Sequence, residues 1–155
     1  MSTQPARRTR RADAVRAAAR LARVAGNALA EADLTLTQYR VLVFLDTRDR
    51  PASDVAALLD VVPSTVTSVV DGLCTRGLVA RGEDPSDRRR VVLSLTEGGR
   101  VGVAEGDRVV ADRLEKLLDR LPDTEAEGAL RGLESLNTAM ELYLTEKFGL
   151  PDGDP

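Results

Sequence analysis

The run DPSDRRRVVLSLTEGGR fills residues 84–100 and sets three adjacent arginines, Arg88, Arg89 and Arg90, beside the carboxylates Asp84 and Asp87. Arginine presents a planar fork of N–H donors that binds a carboxylate or a phosphate through two parallel bonds; the point charge of lysine does not. A guanidinium next to a carboxylate is thus suited to an anionic surface, with the carboxylate holding the fork in one orientation. A β-like run follows, and strand alternation puts Arg88 and Arg90 on the face opposite Arg89. Each of those two either meets a phosphate or faces water.

Other chemistries have little to work with. The chain has no histidine and one cysteine, Cys74. That rules out disulfides within the chain, Cys/His zinc sites, His-based triads and His general bases. There is no phosphate-binding glycine loop and no paired-carboxylate motif. The reading is therefore of a protein that is not an enzyme, with no catalytic residues, no cofactor and no metal. Cys74 reads as a small, partly buried hydrophobe late in the fourth helix.

The 155 residues suit one domain or one subunit. Hydrophobic residues make up 43% and aromatics 3%, so the core is built from Ala, Val and Leu and the chain leans to α. The net charge of -3 is unevenly spread. Residues 1–23 carry seven arginines against one aspartate, whereas residues 101–148 carry eleven acids against six bases. A nucleic-acid partner would have to be met at focused cationic sites, because the body is not basic. No segment approaches the roughly 18–20 apolar residues of a membrane span, and the N-terminus lacks the apolar stretch of a secretory signal. No membrane association and a reducing, cytoplasmic location are expected.

The elements that must position the arginines follow from periodicity. Residues 1–12 read as a flexible basic arm, and RRTRR within it as either a minor-groove reader or a solubilising tail. Ala14, Ala18, Leu21, Ala25, Ala28 and Ala32 form a helical seam over residues 13–34 that suits a core or a subunit interface. Thr35 and Gln38 have capping-box spacing and open a second helix that runs to about Asp46. TRDRP ends it, and a short third helix begins near Ser53. In VVPSTVTSVVDGLCTRG, Val66, Val69, Val70 and Leu73 make a buried stripe, with Pro63 in the first turn and Gly77 as the cap. Ser64, Thr65, Thr67, Ser68 and Asp71 lie off that stripe. A face of short hydroxyl side chains lets a helix approach another surface closely. LVARGED and RVVLSLT read as a β-hairpin. Thr96 caps a long helix marked by Val103, Val110, Leu114, Leu117 and Leu121, which Pro122 breaks. A last helix runs to about Lys147, and residues 148–155 read as a disordered tail.

The order is therefore mostly α with a small β-hairpin. A third and a fourth helix joined by about three residues make a helix-turn-helix, and the hairpin beside it makes a wing. A wing tip bearing arginine reaches phosphates or the narrow, electronegative minor groove. Arg50 and Arg76 are further candidates for phosphate contact.

TLTQYRVL, VAALLDVVPSTVTSVVDGLCTRGLVAR and DPSDRRRVVLSLTEGGR together resemble the MarR family of winged-helix transcription regulators, over about residues 13–147. The most specific part is the wing, where Asp84, Pro85, Asp87, Arg89, Leu95, Thr96 and Gly99 match; Leu73, Gly77, Leu78, Val79 and Arg81 match LxxxGLVxR as well. The resemblance implies a homodimer built from the first helix and the last two. It implies a winged helix-turn-helix over residues 35–100 on a pseudo-palindromic site of double-stranded DNA, in the manner of a repressor. Arg89 would enter the minor groove with Asp87 orienting it, and Pro63, Ser64, Thr65, Thr67 and Ser68 would face bases and phosphates. Pro63 and Ser68 depart from the family's common pattern, where a basic residue is frequent. The family binds small anionic or aromatic effectors between its dimer region and its winged helix; Asn27 and Tyr39 are this chain's candidates for such a pocket. The competing reading is a winged-helix protein-interaction module without specific DNA binding.

Overall fold

A computed structural model describes residues 4–59, 63–83 and 90–148. Six α-helices and three short strands are present among them: α1 (Gln4–Leu29), α2 (Leu36–Asp46), β1 (Arg50–Pro51), α3 (Ala52–Leu59), α4 (Pro63–Thr75), β2 (Val79–Glu83), β3 (Val91–Leu95), α5 (Glu97–Leu118) and α6 (Asp123–Phe148). A 3-10 turn, Ala30–Ala32, joins α1 to α2. The capping box forms as its spacing predicts. The Gln38 amide donates to Thr35 Oγ1 at 3.2 Å, and the Thr35 amide donates to Gln38 Oε1 at 2.9 Å.

Two expectations are corrected. The first helix begins at Gln4, inside the stretch read as a flexible arm, so RRTRR is helical. Alanine and arginine are both good helix formers, and the absence of an apolar period removed the sequence signal without removing the propensity. The run TRDRP also does more than end a helix. Its last two residues form β1, which pairs antiparallel with β3 through Arg50–Leu93 and Pro51–Val92. A two-residue strand has no alternation to read. The sheet order is β1-β3-β2, and the hairpin register runs from Val79 opposite Leu95 to Glu83 opposite Val91.

The core lies where the sheet, α2, α4 and α5 meet. Leu29, Val41, Leu42, Leu45, Val55, Leu73 and Leu93 are fully buried. The predicted stripe of α4 faces it through Val66, Val70 and Leu73, with Val69 packed at its margin. On α5 the buried face is Gly99, Val103, Gly106 and Val109, while the predicted Leu117 and Leu121 are exposed. Helix α6 exposes Leu130, Leu136, Met140, Leu142 and Tyr143 and, among the described residues, packs closely on no other element of its own chain. No single helix among the described residues is long and apolar enough to cross a membrane.

The end of α4 is joined to the start of α5 by a close backbone contact. Gly77 takes the left-handed conformation at φ 68°, and Leu78 N–H bonds back to the Leu73 carbonyl at 2.9 Å, closing a Schellman turn. Thr96 Oγ1 accepts from the Gly99 amide at 3.0 Å and donates to the Gly77 carbonyl at 2.7 Å. Any Cβ on Gly99 would lie 2.2 Å from the Leu78 carbonyl oxygen and 2.5 Å from Leu95 Cδ1. Since backbone cannot yield as a side-chain tip can, Gly99→Ala is expected to lower unfolding stability by about 2–3 kcal/mol, as overpacking does. Urea unfolding at fixed protein concentration checks this; a loss under ~0.5 kcal/mol would show that the turn has room to move.

Candidate nucleic-acid interface

Helices α3 and α4 are the third and fourth of the chain, and their axes bend by 115°, in the range of a helix-turn-helix. With its apolar stripe committed to the core, α4 turns Ser64, Thr65, Thr67 and Ser68 to the exterior, and all four are exposed. Pro63 opens the helix, where its missing N–H costs no hydrogen bond. The predicted face is therefore assembled as one uncharged strip along the first two turns of α4.

Beside that strip stands the hairpin. Asp71, farther along α4, meets Arg81 of β2 at 2.5 Å between Oδ1 and Nη2. This pair ties the hairpin to the helix. Sequence reasoning had both residues in view, Asp71 as a polar position off the stripe and Arg81 as a motif match, and did not join them. Asp71 was legible as the one charge on a Ser/Thr face. Arg90 is exposed just before β3. Asp84, Pro85, Asp87, Arg88 and Arg89 lie outside the described residues.

The two arginines proposed for phosphate contact have other surroundings. Arg50 is 4% exposed, its guanidinium 4.5 Å from the Phe44 ring centroid. Nη2 makes a long 3.5 Å contact with Thr47 Oγ1, while Nε and Nη1 have no hydrogen-bond partner. Burial first, and the neighbouring Arg48 second, lower its pKa from the ordinary guanidinium value. In this conformation Arg50 does not reach an external phosphate. Its strand register explains this: Arg50 sits opposite the fully buried Leu93 and shares its face. Arg76 follows α4 and pairs with Asp33, Nη2 to Oδ2 at 3.1 Å.

The two pocket candidates differ in environment. Asn27 is exposed on α1. Tyr39 is half-buried, with its ring where a Cβ on Gly106 would stand 2.7 Å away, and its hydroxyl donates to Asp107 on α5. Burial, and then that hydrogen bond, raise the Tyr39 pKa, so the phenol stays a neutral donor. Among the described residues, no group of three or more His, Cys, Asp or Glu side chains is placed to hold a metal ion. Cys74 is half-buried and packed against the core.

Two measurements test these placements. Asp71→Asn is expected to change unfolding stability by less than ~1 kcal/mol, as exposed pairs do, while weakening DNA binding about fivefold because the wing loses its register with α4. Equal losses in stability and binding would contradict that split. Arg50→Met, which removes a buried unpaired charge, is expected to raise stability by about 1–3 kcal/mol and to leave the salt dependence of DNA binding unchanged; a fall of about one in that slope would make Arg50 a phosphate contact after all.

A family model described as MarR family matches residues 32–90. The HTH-type transcriptional regulator YhbI of Bacillus subtilis (strain 168) is 32% identical over 118 residues, 76% of this chain and 76% of that one. Among solved structures, the transcriptional repressor CouR bound to a 23-mer DNA duplex superposes with TM-score 0.67 at 30% identity, covering 81% of this chain and 89% of CouR. CouR from Rhodococcus jostii RHA1 bound to p-coumaroyl-CoA gives TM-score 0.62 at 30% identity, covering 79% and 87%. With a helix-turn-helix, an adjoining hairpin and these likenesses together, the chain belongs to the MarR family of winged helix-turn-helix, DNA-binding transcriptional regulators.

Proposed function

We propose that this regulator is a homodimer that reads a pseudo-palindromic promoter site and acts as a repressor. The observation that carries the DNA reading is the uncharged, exposed strip Ser64, Thr65, Thr67 and Ser68 on the second helix of a helix-turn-helix. Short hydroxyls bring the helix backbone close to base edges and phosphates in a major groove. Pro63 stands at the leading end of that strip. The wing supplies the charge that α4 lacks: Arg89 enters the minor groove, Asp87 orients it, and Arg88 and Arg90 stand at its flanks. The likeness to a DNA-bound repressor supports this role.

The dimer is supported by surface that one chain leaves uncovered. Helix α6 presents Leu136, Met140, Leu142 and Tyr143, each more than half exposed, and residues 9–20 of α1 are exposed throughout. A patch of that kind is unusual on a monomer. The α1 end is rich in arginine and the α5–α6 half is acidic, so a second copy brings opposite charge as well as apolar surface. Two α4 helices then sit roughly 34 Å apart, one turn of DNA.

A small anionic or aromatic molecule would enter near Asn27 and Tyr39 and shift the dimer between two spacings, binding one of them better. The p-coumaroyl-CoA complex of CouR supports the class of ligand. The protein acts in the cytoplasm, where its DNA is.

The test is fluorescence anisotropy on DNA from the gene's own upstream region over a salt series, with wild type and Arg89→Ala. The expected result is saturable, sequence-selective binding that weakens steeply with salt and falls at least tenfold in the variant. Weak binding, equal on any sequence and indifferent to Arg89, would favour a winged-helix protein-interaction module instead.

A further inference from the structure

Polar links converge on the turn between α1 and α2. Asp33 ends the 3-10 turn in the left-handed conformation, φ 54°. Few residues other than glycine tolerate that region, and aspartate is one of them. From there its carboxylate reaches Arg76, at 3.1 Å, directly after the last residue of α4. Two residues earlier, Glu31 pairs with Arg113 of α5. The turn therefore faces two ways, Glu31 toward a long helix and Asp33 toward the end of the recognition helix.

Leverage makes this position consequential. Arg76 lies at one end of α4, and the reading residues Ser64 to Ser68 lie at the other. At 1.5 Å rise per residue, Ser64 is about 18 Å from the joint along the helix, so a tilt of ~10° moves it by about 3 Å. One base-pair step is about 3.4 Å. An exposed ion pair contributes little to stability, yet this one sits where a small angular change becomes a change of register on DNA. Arg76 is also at the wrong end of α4 to join the reading residues, and its guanidinium is already engaged by Asp33.

We propose that Asp33 and Arg76 are positioning residues: their pair fixes the angle of α4 against the long helices and thereby the spacing of the two recognition helices in the dimer. This rests on the homodimer and DNA reading above. In the alternative, Arg76 is a direct phosphate contact and Asp33 only occupies it when DNA is absent.

The test places spin labels on the full-length chain through Thr65→Cys in a Cys74→Ser background and measures the distance between protomers by pulsed electron spin resonance. Asp33→Asn and Arg76→Gln are each expected to shift or broaden that distance by about 3 Å or more, with unchanged melting temperature. Arg76→Lys, which keeps a cation opposite Asp33 and leaves the left-handed turn residue unchanged, is expected to retain the parent distance. On DNA, Asp33→Asn is expected to weaken binding to the native half-site spacing several-fold and to reduce the penalty for inserting one base pair between half-sites. An unchanged distance in Asp33→Asn would overturn the proposal alone. Tighter DNA binding by Asp33→Asn would also overturn it, in favour of a phosphate-contacting Arg76. A missing inter-protomer distance in the Asp33/Arg76 parent would overturn the dimer reading and this proposal with it.

Discussion

The first turn of α5 runs against the backbone that leaves α4, so closely that Gly99 has no room for a methyl group beside the Leu78 carbonyl. The rest of the reading apparatus depends on that contact. Through Gly77 and Thr96 the recognition helix is stopped, the chain is turned into β2, and the strand returning from the hairpin is delivered to α5. A bulkier residue at position 99 would push apart α4, the hairpin and α5. Two motifs of the chain, LxxxGLVxR and LTxxG, are the two halves of this one junction.

Stability and geometry are assigned to different groups. The fully buried Leu42, Leu45, Leu73 and Leu93 supply the apolar burial that holds α2, α4 and the sheet together. The exposed pairs, Asp71 with Arg81 and Asp33 with Arg76, add little to that total. They join separate elements, however, and so fix direction: one aligns the hairpin with α4, the other aligns α4 with the α1–α2 turn. Arg50 stands apart, a buried cation on Phe44 with two nitrogens unpartnered. It costs stability where it sits, and no described carboxylate lies within ion-pair distance of it.

Much of this was legible in the residues. The 3-4 spacing of Val66, Val69, Val70 and Leu73 announces a helix with one buried side, and the Ser/Thr opposite face follows from the same count. The Thr35–Gln38 box has a local geometry that spacing alone encodes. What escaped was non-local or too short to have a period. β1 is two residues long and exists because β3 is there to pair with it. That pairing, invisible locally, turned Arg50 inward. The partner of Arg76 stands 43 positions earlier, at a turn whose left-handed residue carries no sequence signal beyond being an aspartate. The helical start of α1 was hidden because its arginines and alanines lack an apolar stripe.

The central claim is that one protein dimer lays two α4 helices into successive major grooves with a wing beside each. Chemical footprinting on the upstream DNA tests it directly, using a probe of guanine N7 in the major groove and hydroxyl radicals at the minor-groove edge. Two patches of N7 protection centred about 10 base pairs apart, each flanked on its outer side by minor-groove protection, are the predicted result. A single patch, or protection without a fixed spacing, would contradict it.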